Sequence, residues 1–357
     1  MTTAAAPVPH MPGPGRGSDY ADLLRIVRQA GLLARRPTHY AVKGSMTLLA
    51  FAGVWVVFAW LGDTWWQLFV AAALAVVYTQ VAFLGHDAGH RQILRTRRAN
   101  DAVGIGLGGL VGMSFGWWVG KHNRHHANPN VEGADPDIDI APLAFTPAQG
   151  RATQGFLRWM AKHQASLFFP LLFLEGFDLH WSGIKAVRRG GLRARWVEAT
   201  LLTAHIVVYL AAVFLVLSPG KAVVFIVVHQ GLWGFYMGCS FAPNHKGMLI
   251  LSAAEELDFL RRQVLTSHDV LGGRGVDFAL GGLNFQIEHH LFPSMPRPTL
   301  RRAQPLVQAF CAERGISYSH GGLLPSYGHI LRYLDEIGAS LRGEDALLRA
   351  RRRQRPA

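Results

Sequence analysis

The stretch NFQIEHHLFP, residues 284–293, places two adjacent histidines three and four positions after a glutamine. In an α-helix, residues i, i+3 and i+4 lie on one face, so Gln286, His289 and His290 would point to the same side. Neighbouring imidazoles on one face are typical of a transition-metal site. The stretch therefore predicts one edge of a metal site.

Two further motifs repeat this spacing. HNRHH at residues 122–126 has histidine in all three positions, and HDAGH at residues 86–90 has two histidines four residues apart. With only two cysteines in the chain, an imidazole-rich site suits iron, copper, nickel or zinc rather than calcium or magnesium. Seven histidines are too many for one tetrahedral ion and enough for two metals: His86, His90, His122, His125, His126, His289 and His290.

The composition is that of a membrane protein, because half of the residues are hydrophobic and only 17% are charged. Apolar runs lie at about 44–62, 65–85, 197–217 and 221–241, and each can cross about 30 Å of hydrocarbon at about 1.5 Å per residue. Short turns at 62–64 and 218–220 join them into two hairpins. The net charge of +13 could indicate nucleic acid, but the basic residues flank apolar runs and favour an anionic membrane surface or acyl carrier.

A glycine-rich run at about 102–119 decides the topology. If it crossed the membrane, the first two histidine motifs would lie on opposite sides and could not share metals. Its glycines make it a poor isolated helix, so we expect a re-entrant or interfacial element, or a helix under the cytosolic part, with a third crossing as the alternative. These glycines are Gly104, Gly106, Gly108, Gly109, Gly112 and Gly116.

The distribution of charge supports one orientation. The outer turns carry Lys221 alone, whereas arginines and lysines crowd the proposed inner segments. The sequence thus predicts an all-α integral protein of the cell inner or plasma membrane, with four spans, a cytosolic helical cap at 86–195 and 245–340, and both termini cytosolic. This membrane domain would run from 19 to 340, between a disordered tail at 1–18 and a basic tail at 341–357.

The three motifs, in this order, resemble those of the membrane fatty acid desaturases, a non-haem di-iron family. The resemblance extends from about Asp19 to Tyr333, and the QIEHHLFP form is similar to the acyl-lipid and acyl-CoA members. It implies two iron ions, O2 as co-substrate and a cis double bond placed in a fatty-acyl chain on CoA, an acyl carrier or a lipid. It also implies an eighth histidine ligand after the last span, for which His245 is the candidate.

Several other residues could support the metals. Gln286 stands where stearoyl-type members have histidine; it could bind iron through its carbonyl, hold a water or orient His290. Asn244 could hold a water near the site. Because metal-bound histidines usually give their second ring nitrogen to a carboxylate or carbonyl, nearby acidic residues are candidates, although those at 135–139 could form a solvated turn. They are Asp87, Glu288, Asp135, Asp137 and Asp139.

Electrons and substrate must also reach the site. The sequence shows no His-Pro-Gly-Gly stretch, so we expect no fused cytochrome b5, and no GxGxxG motif after a strand that would mark a bound nicotinamide or flavin. We expect a separate ferredoxin-, rubredoxin- or cytochrome b5-like donor with its NAD(P)H reductase. Basic groups that could bind substrate phosphates or lipid headgroups, or only the membrane surface, are Lys185, Arg188 and Arg189, and Arg297, Arg301 and Arg302.

Two other functions stay open at the level of sequence. The same metal site could oxygenate a lipid, as a hydroxylase, epoxygenase, acetylenase or ketolase. A haem-carrying membrane electron-transfer protein could instead use His205 and His229 as axial ligands. Those two histidines lie inside the second hairpin, where an interhelical hydrogen bond is the simpler interpretation.

Overall fold

The computed structural model describes residues 18–353, and only the backbone from 345 onward. The predicted tail at 1–18, apart from Ser18, and the last four residues lie outside this range. Within it the chain is helical with two three-residue strands. The elements are α1 (Asp19–Gln29), α2 (Pro37–Leu61), α3 (Gln67–Gly89), α4 (Arg97–Val111), α5 (Phe115–Ala127), α6 (Pro147–Ala152), α7 (Gly155–Lys162), α8 (Gln164–Leu172), α9 (Glu175–Arg189), α10 (Arg195–Val216), α11 (Pro219–His245), α12 (Phe259–Leu265), β1 (Asp269–Leu271), α13 (Arg274–Ala279), α14 (Gln286–Leu291), α15 (Arg297–Glu313), β2 (His320–Gly322) and α16 (Leu323–Arg353).

Four helices, α2, α3, α10 and α11, are long and apolar enough to cross a membrane, which confirms the all-α fold with four spanning helices. They run further than the predicted spans. α3 continues through the first histidine motif to Gly89, and α11 continues to His245. The first histidine motif and His245 therefore lie in the last turns of spanning helices rather than in the cap. Polar side chains change the surface of a helix without ending its backbone hydrogen bonds.

The two hairpins are fastened together at their tips. Asp63, in the turn between α2 and α3, accepts hydrogen bonds from the Ser218 backbone N–H at 3.0 Å and from its hydroxyl at 3.1 Å. Lys221 places its Nζ 3.2 Å from the same carboxylate. α3 and α11 pack around buried Tyr78, Phe225 and Trp233, whereas α2 and α10 leave apolar side chains exposed. These bare outer faces suit contact with lipid.

The glycine-rich run is broken rather than continuous. α4 and α5 meet at an angle of 112° around Gly112, whose φ of +71° is the left-handed conformation that glycine adopts most readily. The turn between the two helices is called the Gly112 bend below. α4 packs against α3, and α5 then carries the second histidine motif back to the end of α3 that holds the first.

Part of the segment predicted to belong to the cap, namely α8 and α9, packs beside a spanning helix. Phe173 stacks on Phe235 of α11 at a centroid distance of 4.7 Å, and the His180 Nε2 lies 3.0 Å from the Gln230 side-chain amide. α8 and α9 therefore run along α11. Their apolar residues match that surface, which composition alone did not distinguish from a buried cytosolic segment.

The C-terminal residues form the rest of the cap. α12, α14 and α15 pack with α1 around buried Leu23, Ile287 and Val307, and β1 pairs in parallel with β2. α16 crosses the predicted tail boundary at 341 without a break. Leu341 is buried with Ala144 and Ala161, so the apolar stripe of the helix continues past the point where the basic composition begins.

Candidate metal centre

Eight histidines meet where the C-terminal ends of α3 and α11 face α5 and α14. The histidines are spaced on their helices as the motifs predict. His122 and His126 lie one turn apart on α5, and His289 and His290 lie in the last turn of the short helix α14. Their rings contact one another across the four helices. For example, His126 stacks on His290 at a centroid distance of 4.1 Å. The members are His86, His90, His122, His125, His126, His245, His289 and His290.

The first group comprises His86, His90, His122 and His289, whose candidate ligand nitrogens all lie within 4.8 Å of one another. The Nε2 atoms of His90 and His122 are 2.9 Å apart. The Nε2 of His126 lies 3.1 Å from that of His122 and so adjoins this group. His86 and His289 each bury an Nε2 with no hydrogen-bond partner among the described residues.

The second group comprises His125, His245 and His290, also within 4.8 Å. The His245 Nε2 lies 3.2 Å from the His125 Nε2 and 3.0 Å from the His290 Nε2. Nδ1 of His125 is 3.0 Å from the Asp135 carboxylate, and Nδ1 of His245 is 2.8 Å from the Thr266 carbonyl. Both partners are acceptors, so each Nδ1 carries the proton and each Nε2 keeps its lone pair.

His290 follows the same rule through Gln263. The Gln263 amide nitrogen donates to the His126 carbonyl at 3.0 Å, which fixes its oxygen 2.8 Å from the His290 Nδ1. The unprotonated nitrogens of the second group therefore converge. Bare lone pairs at about 3 Å repel one another, and a cation between them removes that repulsion. Two nitrogens bound at about 2.1 Å to one ion lie about 3.0 to 3.4 Å apart, depending on the angle.

Metal binding also requires neutral imidazoles, and the electrostatics provide them. Burial lowers the pKa of His289 and of His290 well below its usual value, and the neighbouring histidines lower both further. A cluster of neutral, oriented imidazoles within ligand distance is able to bind metal.

Gln286 lies on the predicted face. Its amide nitrogen is 2.8 Å from the His245 Nε2, and its Oε1 is buried without a partner among the described residues. The amide can be turned, so either its oxygen or its nitrogen can face the second group. Asn244 is also buried, but its amide donates to the Ser240 carbonyl of its own helix at 3.2 Å rather than to a histidine.

The acidic residues divide clearly. Asp135 holds His125 and also accepts from the backbone N–H groups of Asn130 at 2.7 Å and Asp137 at 2.8 Å. Asp137 is 3.6 Å from the His125 Nδ1 and pairs with Lys121 at 2.7 Å. Burial raises the pKa of Asp137, but Lys121, His125 and Lys246 outweigh it and hold the pKa below its usual value. Asp139 is exposed.

Of Asp87 and Glu288, only Asp87 faces a histidine of the cluster. The Asp87 carboxylate is 3.6 Å from the His86 Nδ1 and is held by Arg297 at 2.6 Å. Glu288 points away from the histidines, because residue 288 is off the helical face shared by 286, 289 and 290. Its Oε1 accepts from the Tyr318 hydroxyl at 2.8 Å, and burial together with the neighbouring Asp269 raises the pKa of Glu288 well above its usual value.

The basic candidates differ in the partners that they already have. Arg297 is engaged by Asp87, and Arg301 pairs with Asp277 at 2.6 Å, so these two arginines already have carboxylate partners. Lys185, Arg188 and Arg189 lie in the last turns of α9, where Lys185 stands over the Trp181 ring at 5.9 Å. Sequence reasoning missed Gln263 and Thr266, because neither belongs to a motif and both reach the histidines only through tertiary contact.

An apolar cavity adjoins the first group. His86 and Trp118 form part of its wall, together with Val81 and Ala82 of α3 and Met237 and Phe241 of α11. The Gly112 bend and the helices on either side of it complete the wall with Leu107, Gly108, Val111, Met113 and Phe115. The lining is almost wholly hydrocarbon, so the cavity favours apolar groups beside His86.

His205 and His229 do not form a haem site. The His229 Nδ1 lies 2.8 Å from the Tyr209 hydroxyl, which makes the interhelical hydrogen bond that was the simpler interpretation. The rings of Tyr78 and Tyr209 each contact both histidines, so they lie where a macrocycle would have to stand.

Comparison with known proteins agrees with this arrangement. The profile of the family described as "Fatty acid desaturase" matches residues 63–322. The chain is 30% identical over 338 residues to an acyl-lipid (9-3)-desaturase of Physcomitrium patens, covering 91% of this chain and 64% of that protein. It is 30% identical to fatty acid desaturase 3 of Bos taurus, covering 90% and 73%, and 29% identical to the Delta(6)-fatty-acid desaturase fat-3 of Caenorhabditis elegans, covering 92% and 76%.

Proposed function

The chain belongs to the fatty acid desaturase family, and from this premise we propose that it uses O2 and two external electrons to place a cis double bond in a fatty-acyl chain. The observation that carries the proposal is the junction between an apolar cavity and a cluster of oriented histidines, which share His86. The relatives are named as acyl-lipid and fatty acid desaturases, which supports an acyl substrate.

We assign two iron ions to the two histidine groups. When bound, they would supply the activation of O2 that hydrogen removal from an unactivated methylene requires. Each ion would have at least three imidazoles, with His126 beside the first group and Gln286 facing the second. The proposed ligands are His86, His90, His122, His126 and His289 for one ion and His125, His245 and His290 for the other.

The chain's own residues orient this donor set. Asp135, Thr266 and Gln263 hold the Nδ1–H groups of the second group, which aims each Nε2 inward. Asp87, fixed by Arg297, stands beside the His86 Nδ1. Partners of this kind raise the basicity of an imidazole and keep its ring in place.

The overall reaction balances when an external donor supplies the electrons. Two hydrogens leave the acyl chain, two electrons and two protons arrive from outside, and one O2 becomes two molecules of water. We propose a separate ferredoxin-, rubredoxin- or cytochrome b5-like donor on the cytosolic side, an orientation that the excess of Lys and Arg in the proposed inner segments supports. Arg188 and Arg189, exposed at the end of α9, would face anionic headgroups there.

Expression in a host with a simple lipid profile tests the proposal. Mass analysis of its acyl chains should show new species two hydrogens lighter, and the double bond can then be mapped. The matched control is H289A, which should produce none. New species heavier by one oxygen would instead identify a hydroxylase or epoxygenase, and a Soret band would identify haem.

A further inference from the structure

Buried and half-buried polar side chains outside the metal cluster gather around the Gly112 bend. They come from three neighbouring helices: His180 from α9, Glu198 and His205 from α10, and Gln230 from α11. No histidine motif includes them. Polar groups inside an apolar helical bundle are costly, so their position requires a physical reason.

The broken helix provides that reason. Where a helix ends, its last carbonyls and the first N–H groups of the next helix lose their partners, and apolar surroundings offer no water to replace them. His180 donates its Nδ1–H to the Gly112 carbonyl at 2.7 Å, and the His205 ring faces the carbonyls of Gly109 and Leu110. On the other side of the bend, Glu198 accepts from the Ser114 hydroxyl at 2.6 Å and the Gly116 N–H at 3.1 Å.

This arrangement leaves the bend little freedom. A Cβ at Gly112 would lie 2.6 Å from the His205 Cδ2 and 2.7 Å from the His180 Cε1. His180 is itself held from behind by the Gln230 amide at 3.0 Å. The Gly112 carbonyl is thus linked through one imidazole to α11, the helix that forms the opposite wall of the cavity.

The same bend shapes the cavity. Val111 and Met113, the neighbours of Gly112, both line it, while His86 marks the part of the wall that belongs to the metal cluster. In the proposed function the acyl chain occupies this cavity, so the positions of Val111 and Met113 relative to His86 affect how much chain fits. Displacing Val111 or Met113 would change that length. A pocket discriminates one methylene by about tenfold or more, so a small displacement matters.

We propose that His180 is a specificity-determining residue: by holding the Gly112 carbonyl it fixes the cavity wall and so sets which acyl-chain length fits. The inference rests on the proposed function, because it takes the cavity to be the acyl site. His180 is not among the residues that line the cavity, so it acts by positioning Val111 and Met113 through the Gly112 carbonyl between them.

Binding of saturated fatty acids of stepwise increasing length to the purified protein tests this without relying on turnover. In H180L the preferred length should change, with the Kd ratio of neighbouring lengths shifted by about tenfold. H180Q keeps an N–H donor and should retain the wild-type order. H320L, a change of the same kind at an exposed histidine, is the matched control.

Q230L serves as a second variant, since it removes the support behind His180 but leaves its donor in place. We expect a smaller shift in the same direction. An unchanged length preference in both H180L and Q230L would overturn the inference, as would a wild-type protein that binds all lengths alike. Length-selective binding in the wild type without new unsaturation in the host would instead overturn the proposed function alone.

Discussion

The molecule contains two sets of buried or half-buried histidines, and their ring nitrogens face different kinds of partner. In the metal cluster the outer nitrogens are held by Asp135, Thr266 and Gln263, so the inner nitrogens converge on one another. Outside the metal cluster, His180 donates to the Gly112 carbonyl and His229 meets the Tyr209 hydroxyl. Convergent lone pairs repel one another and favour a bound cation. Imidazoles paired with backbone or hydroxyl groups instead complete hydrogen bonds that stabilise the fold. The residue type is the same, and the partner decides the role.

The largest expected effect separates the two sets directly. H125A and H289A should each abolish turnover and lower the iron content, because each removes a nitrogen from one of the groups. Membrane insertion should persist, since it depends on the apolar hairpins. Product analysis and iron determination on the same preparations check this. Near-normal activity in either variant would show that its histidine is no ligand.

Removal of the partner behind a converging nitrogen should have the next largest effect. D135A takes away the acceptor of the His125 Nδ1–H and should reduce metal affinity or activity by about 10- to 100-fold. D139A, a change of the same kind at an exposed residue of the same turn, is its control. Iron titration of the two variants gives the comparison, and equal affinities would remove Asp135 from the account.

Gln286 tests whether a non-histidine group belongs to the cluster. Q286A should lose most activity, about tenfold, while iron stays largely bound by the eight histidines. Q286H should recover only part of the function, since a nitrogen ligand changes the geometry around the second group. Iron content is compared with turnover in both proteins. Wild-type turnover in Q286A would make Gln286 a bystander.

The smallest effect is expected in the second set. Y209F removes the hydroxyl that meets His229 and should cost about 0.6 kcal/mol, the average for a hydrogen bond between membrane helices. Iron content and turnover should be unchanged. Thermal unfolding in detergent with parallel iron analysis measures both. Loss of iron from Y209F would show that the two histidine sets are not independent.

Much of this arrangement could be predicted because its signals are local. Apolar runs of sufficient length gave the spanning helices, and spacing of three and four residues gave the histidine faces. The contribution of Asp135 was accessible as one of a group, since metal-bound histidines commonly pair with carboxylates. Glu288 does not support a histidine, because it is next to His289 in sequence but lies on another face of the helix.

The rest depends on contacts between distant parts of the chain. Gln263 meets His290 across 27 positions, and Arg297 meets Asp87 across 210, with no pattern in the sequence to pair them. The role of His180 requires the Gly112 carbonyl, a backbone group that no motif records. The sequence predicts C-terminal ends for α3 and α11 that fall short of the observed ones for a related reason. Hydropathy reports the surroundings of a helix and not the hydrogen bonds that continue it.

Metal content of the purified wild-type protein tests the central claim most directly. Elemental analysis against protein concentration should give two irons per chain, because the cluster presents two separate groups of converging nitrogens. H125A should retain less than the wild type. One zinc per chain and no iron would contradict the account.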